Sequence, residues 1–437
     1  MPDLVPTIRT PKVAGATQVE RLADFVVRTD YNDLPARARR LLKMHVLDAL
    51  GCAIGALDAE PIARLRRQID LFGGQPLATF IGGGGSAPDR VAFYNAALVR
   101  YLDFNDSFLA PGETCHPSDN LAPVLAASEF ANRSGADFLT ALALAYQVQC
   151  RLSQAAPVRS RGFDHTTQGA YAVAAGVAKA LDLDVTQTAQ AIAMSGTANN
   201  ALRVTRTGEL SNWKGLAYPF TAFAATNAAF LAREGLTGPR EVFEGNKGFI
   251  ETISGPFTID WPHERLDLVP QTILKRYNAE IHSQSALEGV LRLRERHHLR
   301  AEDIDWVRVE IFSVAYQIIG GGEEGEKRVV RTKEEADHSL PYLLAVALLD
   351  GEVTPAQFTP ERIARDDAQR LLRKVSVRPI GRLSERFPQR MPCRIEIALR
   401  DGGAVHVELD DYEGFVTRPM PWERVVEKFN RLAAPHA

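Results

Sequence analysis

Apolar residues recur at helical spacing through almost all of the first 240 residues, and many of them are alanine. Segment 17–29 puts Val19, Leu22, Ala23, Phe25 and Val26 on one face. Segment 34–57 carries a longer stripe through Ala38, Leu41, Leu42, His45, Val46 and Leu50. The spacing predicts further helices over 61–71, 89–102, 120–132, 136–152, 167–181, 185–195 and 220–233. Asp184 is placed to cap the helix that starts at Val185, and Gly51 marks a stop or kink in the second helix. Small side chains let helix axes approach closely, so the pattern implies one large multi-helix domain.

The period changes after about residue 268. A helix is expected over 283–296, and segment 306–312 (WVRVEIF) then alternates apolar and charged residues, the signal of a half-buried strand. Segments 375–380, 394–399 and 405–409 read the same way, and RDGG at 400–403 is a hairpin turn signal. An apolar helix is expected over 337–349. The fold class is therefore mainly α: a large all-helical domain over residues 1–268 and a smaller α+β lid domain over 269–415. The tail, 416–437, contains one more helix (421–432) expected to dock back on the first domain.

Composition excludes several classes. The 437 residues are 45% hydrophobic and 24% charged, which suits a globular chain with a sizeable core. Lys plus Arg is 51 against 54 Asp plus Glu, a net charge of −3, so neither a nucleic-acid coat nor a polybasic membrane protein is expected. No run of about 18 apolar residues marks a membrane span. The four cysteines are scattered without metal or disulfide spacing, and no H-E-x-x-H occurs. A soluble cytoplasmic protein without metal or cofactor is expected. The glycines at 82–85 lack the phosphate-loop pattern and read as a connection between helices. The run GGGEEG at 320–325 reads as an exposed turn or a mobile lid edge.

Four segments carry candidate chemistry. DFNDSFLAPGETCHPSD (103–119) gathers Asp103, Ser107, His116 and Ser118 between two apolar helices. It reads either as an active-site loop or as a capping loop in which Ser118 or Asp119 caps the next helix. His165, in GFDHTT, precedes a helix whose dipole disfavours the imidazolium, which leaves a neutral base; simple capping by Thr166 or Thr167 is the alternative. Arg203, Arg206 and Lys214 cluster in a segment that is not cleanly helical. Lys275, Glu280 and His282 lie at the junction of the two domains. Cations at such a junction suit a cleft for a carboxylate-rich ligand, or else a solvated face.

Six segments in order resemble the MmgE/PrpD family: YLDFNDSF (101–108), HPSDN (116–120), GFDHTTQGA (162–170), GELSNWKGLA (208–217), NAEIHSQSALEG (278–289) and ADHSLPYLLAVALLDG (336–351). The resemblance implies a helical domain with an α+β lid, a homodimer, and catalysis without a metal or iron–sulfur cluster. It implies a hydro-lyase that dehydrates 2-methylcitrate, or a closely related tricarboxylate, to 2-methyl-cis-aconitate. Asp103 matches the first acidic residue of the family's D-F-x-D motif, His116 the His of H-P-S, His165 the His after G-F, and Lys214 the lysine of W-K-G. Lys275 matches the lysine that opens the domain junction. Ser107 stands where many members have Thr. Glu280 stands where the decarboxylase branch tends to carry His, which favours the dehydratase branch.

The catalytic set expected on this basis is Asp103, His116, His165, Lys214 and Lys275. Ser107, Ser118, Arg206, Glu280 and His282 are expected to bind substrate. His116 and His165 would divide the base and acid roles, Asp103 would orient a histidine, and Lys214 and Lys275 would stabilise substrate carboxylates. Two alternatives stay open: a decarboxylase or isomerase of cis-aconitate-like polycarboxylates, and a non-catalytic ligand-binding protein on the same fold.

Overall fold

The computed structural model describes residues 15–436. Among the described residues, nine helices build the first lobe: α1 (Gln18–Arg28), α2 (Ala36–Ile54), α3 (Glu60–Phe72), α4 (Pro88–Tyr101), α5 (Leu121–Phe130), α6 (Gly135–Ala155), α7 (Thr166–Ala180), α8 (Val185–Ala198) and α9 (Trp213–Arg233). Thr17, Ser134 and Asp184 close capping boxes with Glu20, Asp137 and Gln187, which start α1, α6 and α8. The alanine content has the expected consequence. A Cβ on Gly176 of α7 would lie 2.8 Å from Val124 and 2.9 Å from Ala145, so α5, α6 and α7 sit nearly backbone to backbone. Among the described residues no helix is long and apolar enough to cross a membrane.

Two short ribbons interrupt this lobe. Strands β1 (Ala78–Thr79) and β2 (Gly85–Ser86) close the glycine turn, and β3 (Phe108–Ala110) pairs with β4 (Glu113–Cys115). The second ribbon carries the chain from Asp103 to His116.

The second lobe is a four-stranded mixed sheet in the order β6-β5-β7-β8. Strand β5 (Ile304–Ile311) runs parallel to β6 (Val375–Pro379) and antiparallel to β7 (Cys393–Leu399), with Val307 opposite Val375 on one side and Ile397 on the other. Strands β7 and β8 (Ala404–Leu409) form the hairpin that RDGG closes. Helix α10 (Gln284–His297) lies on this sheet; a Cβ on Gly289 would be 3.0 Å from Ile395. The buried helix Leu340–Asp350 packs beside it.

Each lobe has its own core. One runs from Val19 to Val269 and includes Leu432; the other runs from Ile273 to Phe415. Leu432 belongs to the terminal helix Trp422–Ala433, which lies on α2.

Three local expectations are corrected. Gly51 does not stop α2, which continues to Ile54. A Cβ at Gly51 would be 3.1 Å from the Cα of Phe429, so this glycine admits the terminal helix. Helix α9 begins at Trp213, before Pro219, because burial of Lys214, Ala217 and Tyr218 outweighs the hydrogen bond Pro219 cannot make. The helix expected from residue 337 begins at Leu340. Ser339 caps it by accepting from the Tyr342 N–H, and Pro341 sits in the first turn, where its missing donor is harmless. Asp337 and His338 are thereby left outside the helix.

Candidate active site

Asp103 follows α4 in a left-handed conformation, φ 54°, which aspartate tolerates better than most residues. That turn points its carboxylate into a buried cluster of cations. Oδ1 accepts from Arg100 Nη1 at 2.6 Å and from Lys275 Nζ at 2.7 Å. Oδ2 lies 3.6 Å from Lys214 Nζ and 3.5 Å from His338 Nδ1. Burial alone would raise this carboxyl, but Arg100, Lys275, Lys214 and His338 hold it well below the usual carboxylate range.

Two imidazoles stand on the helical wall. His116, just after β4, donates from Nδ1 to the Asp106 carbonyl at 2.8 Å, with Ser107 Oγ at 3.0 Å. A carbonyl can only accept, so Nε2 carries the lone pair. Burial, reinforced by Arg100, Lys275 and His165, pushes the His116 pKa well below its ordinary value. His165 stands just before α7 without a capping bond from its side chain, and its ring meets that of His116 edge-on with centroids 5.4 Å apart. Its Nδ1 is 3.1 Å from Asp164 Oδ1, and its buried Nε2 has no protein partner. Burial first, then Arg206, Arg100 and Arg203, outweigh Asp164 and push its pKa down to about 3. Asp164 is itself gripped by Arg206 Nε at 3.0 Å and Arg203 Nη1 at 3.3 Å.

The lid wall brings two more. His282 Nδ1 lies 2.6 Å from Glu280 Oε1, its Nε2 is unpartnered, and Phe312 and Phe387 flank the ring. Despite burial, His282, His338 and Lys275 bring Glu280 down to about 2. His338 Nδ1 lies 2.7 Å from Asp337 Oδ1; burial and Lys214 bring its pKa down to about 4. Three carboxylate–imidazole pairs, Asp164–His165, Glu280–His282 and Asp337–His338, thus surround one small space. In each pair the acid binds Nδ1, which fixes the ring and turns Nε2 away from it.

That space is a cavity of about 40 Å³ between the lobes. The helical lobe lines it with Arg100, Asp103, His116, His165 and Arg206, and the lid with Glu280, His282, Glu324 and His338. Arg159, Arg203 and Glu113 complete its charged lining, so four arginines face four carboxylates. A wider groove of about 820 Å³ lies between α10 and the terminal helix. Its lining contains no imidazole, and its charges pair with one another, as in Arg292–Glu288–Arg418.

Several expected roles change. Neither Lys214 nor Lys275 lines the cavity. Lys214 donates to Asp337, and Lys275, fully buried, donates to the carboxylate and carbonyl of Asp103. Their charges neutralise protein carboxylates, and the cations that face the cavity are arginines. Asp103 orients neither His116 nor His165; its imidazole neighbour is His338.

Ser118 also stays outside the cavity, and neither it nor Asp119 caps the following helix. Ser118 Oγ and Asp119 Oδ1 instead accept from Asn105 Nδ2, both at 2.9 Å. Ser107 touches His116 from behind the cavity. His165 is 3% exposed and Glu324 4%, so neither is the surface residue that the capping and exposed-turn alternatives required.

Sequence reasoning overlooked Asp164, Asp337, His338, Arg100 and Arg159. A usable signal existed: an acidic residue one or two positions before each of His165, His282 and His338.

Asp103, Asp337 and His338 offer three ligand-type atoms within 4.8 Å of one another, a geometry suited to a cation. The Lys214 ammonium already lies against both carboxylates.

The "2-methylcitrate dehydratase, mitochondrial" of Yarrowia lipolytica is 26% identical over 88% of this chain and 77% of that protein. The 2-methylcitrate dehydratase of Salmonella typhimurium is 27% identical over 74% of this chain and 69% of its own. The "2-methylcitrate dehydratase-like protein oryR" of Aspergillus oryzae is 28% identical over 94% of this chain and 88% of its own. The MmgE/PrpD N-terminal domain matches residues 20–262 and the MmgE/PrpD C-terminal domain matches residues 277–437. Matched along both lobes, the chain belongs to the MmgE/PrpD family.

Proposed function

We propose that this chain works, as a cytoplasmic homodimer, as a hydro-lyase that removes water from 2-methylcitrate or a closely related hydroxy-tricarboxylate. The named relatives support the dehydratase reading. The observation that carries the chemistry is the pair His116 and His165, both buried and held as neutral imidazoles beside arginines in the pocket between the lobes.

The reaction asks for three things. A proton must leave a carbon next to a carboxylate, a hydroxyl must leave its neighbour, and charge building on the carboxylate must be stabilised. Neutral Nε2 atoms of His116 and His165 supply the base. Arg100, Arg159, Arg203 and Arg206 supply fixed positive charge, and a guanidinium fork matches a carboxylate in two bonds. The acid is formed on binding. A trianion placed beside a buried imidazole raises its pKa, so one histidine takes up a proton as substrate enters. That proton is then delivered to the departing hydroxyl. Asp164 holds the His165 ring, and the Asp106 carbonyl and Ser107 hold that of His116.

The test is an assay with 2-methylcitrate, citrate and cis-aconitate side by side, following conjugated-alkene absorbance and released CO2. Alkene formation from a hydroxy-tricarboxylate without CO2 is expected. Release of CO2 would replace the dehydratase by a decarboxylase. Inertness toward all three would remove the enzymatic reading.

A further inference from the structure

The cavity between the lobes has two properties that conflict with the substrate class proposed above. At about 40 Å³ it has room for a few waters, each needing about 10–15 Å³ of such space, and not for a tricarboxylate. Its four arginines already face four carboxylates, so no net positive charge remains for a trianion. Both room and charge must be released before a polycarboxylate can enter.

One side chain is built to release both. Glu324 belongs to the lid and sits in the glycine run 320–325, where Gly321 and Gly325 have φ of 98° and 106°. Its carboxylate reaches across to the helical lobe. Oε1 accepts from Arg159 Nη2 at 2.8 Å and from Arg203 Nε at 3.2 Å, with a second Arg203 bond through Nη2. Oε2 is buried with no partner and belongs to the cavity wall. The other carboxylates there are differently held. Asp103 is tied by Arg100 and Lys275, Glu280 by His282, and Glu113 accepts the backbone N–H groups of Val158 and Arg159. Glu324 alone among these four is carried on a glycine-rich loop.

We propose that Arg159 and Arg203 form a carboxylate-binding subsite, and that Glu324 occupies it as an internal stand-in which a carboxylate of the substrate displaces. The proposal rests on the polycarboxylate reading above and adds to it the subsite and its internal competitor. Withdrawal of the 320–325 loop frees the Arg159 guanidinium, the Nε–Nη2 edge of Arg203, whose Nη1 stays with Asp164, and the volume beside them in one movement. A tethered carboxylate competes at the high effective concentration of a short link, so it weakens substrate binding while keeping the empty arginines paired. It also excludes ligands with too little negative charge to displace it.

The test is calorimetric titration with tricarballylate, a saturated tricarboxylate that has no hydroxyl to lose. Glu324→Gln keeps the size of the side chain and removes its charge; it is expected to bind on the order of tenfold more tightly than the wild type. Glu324→Ala should act in the same direction. Arg159→Gln, which leaves every imidazole contact in place, is expected to bind at least about tenfold more weakly. Unchanged or weaker binding in Glu324→Gln would make Glu324 a simple latch and overturn the proposal. So would unchanged binding in Arg159→Gln, or no binding by any form. Because the probe does not react, the expected pattern without turnover of any hydroxy acid would discard the dehydratase and keep the subsite.

Discussion

Replacing His165 with alanine is expected to lower kcat by about 100-fold or more, the usual scale for a lost acid–base group, and His116→Ala should do the same. The two rings touch, each is turned by a fixed partner on Nδ1, and both are buried. Steady-state kinetics of both variants, with circular dichroism to confirm folding, decide the matter. Near-normal turnover in both would remove them from the chemistry.

The wild-type pH profile gives an independent check. With its folded pKa about 3, His165 remains a base as pH falls from 7 to 5, where an ordinary imidazole near 6.5 would be mostly protonated. Once corrected for ionisation of the substrate's own carboxyl groups, kcat/KM should therefore show no acid limb near 6.5. A clear limb there would assign the base to a group with an ordinary pKa.

Asp103→Ala is expected to destabilise the protein by about 3–5 kcal/mol, because it strands buried cations. Arg100 is 3% exposed and Lys275 fully buried, and each bonds directly to the lost carboxylate. Urea unfolding measures the loss. Adding Lys275→Met should recover part of it, since the second change removes one of the stranded charges. A loss below about 1 kcal/mol, the scale of an exposed pair, would mean that the network is solvated in solution.

The periodic part of the fold was legible in the sequence because burial of one helix face writes itself locally. Helices α1 to α8 and the sheet strands lie within a few residues of where spacing put them. Errors fell where tertiary contact overrode a local signal. Pro219 hid the first two turns of α9, and Gly51 looked like a stop although it receives Phe429.

The site was less legible for a related reason. His116, His165, Glu280 and His282 announced themselves as titratable groups in short motifs, and the structure gathers them around one cavity. Partner choice is a long-range property. Nothing local says that Lys214 turns to Asp337 or that Glu324 reaches Arg159, 165 residues away in sequence. Asp337 and His338 were absorbed into an apolar helix that Pro341 in fact delays.

In the proposed mechanism, arginines and imidazoles of the chain supply all the charge stabilisation and proton transfer the elimination needs. The most direct measurement is turnover of 2-methylcitrate after exhaustive chelation, with metal content determined by mass spectrometry on the same sample. Unchanged kcat at far less than one metal per chain is the predicted result. Loss of activity that iron or magnesium restores would contradict it.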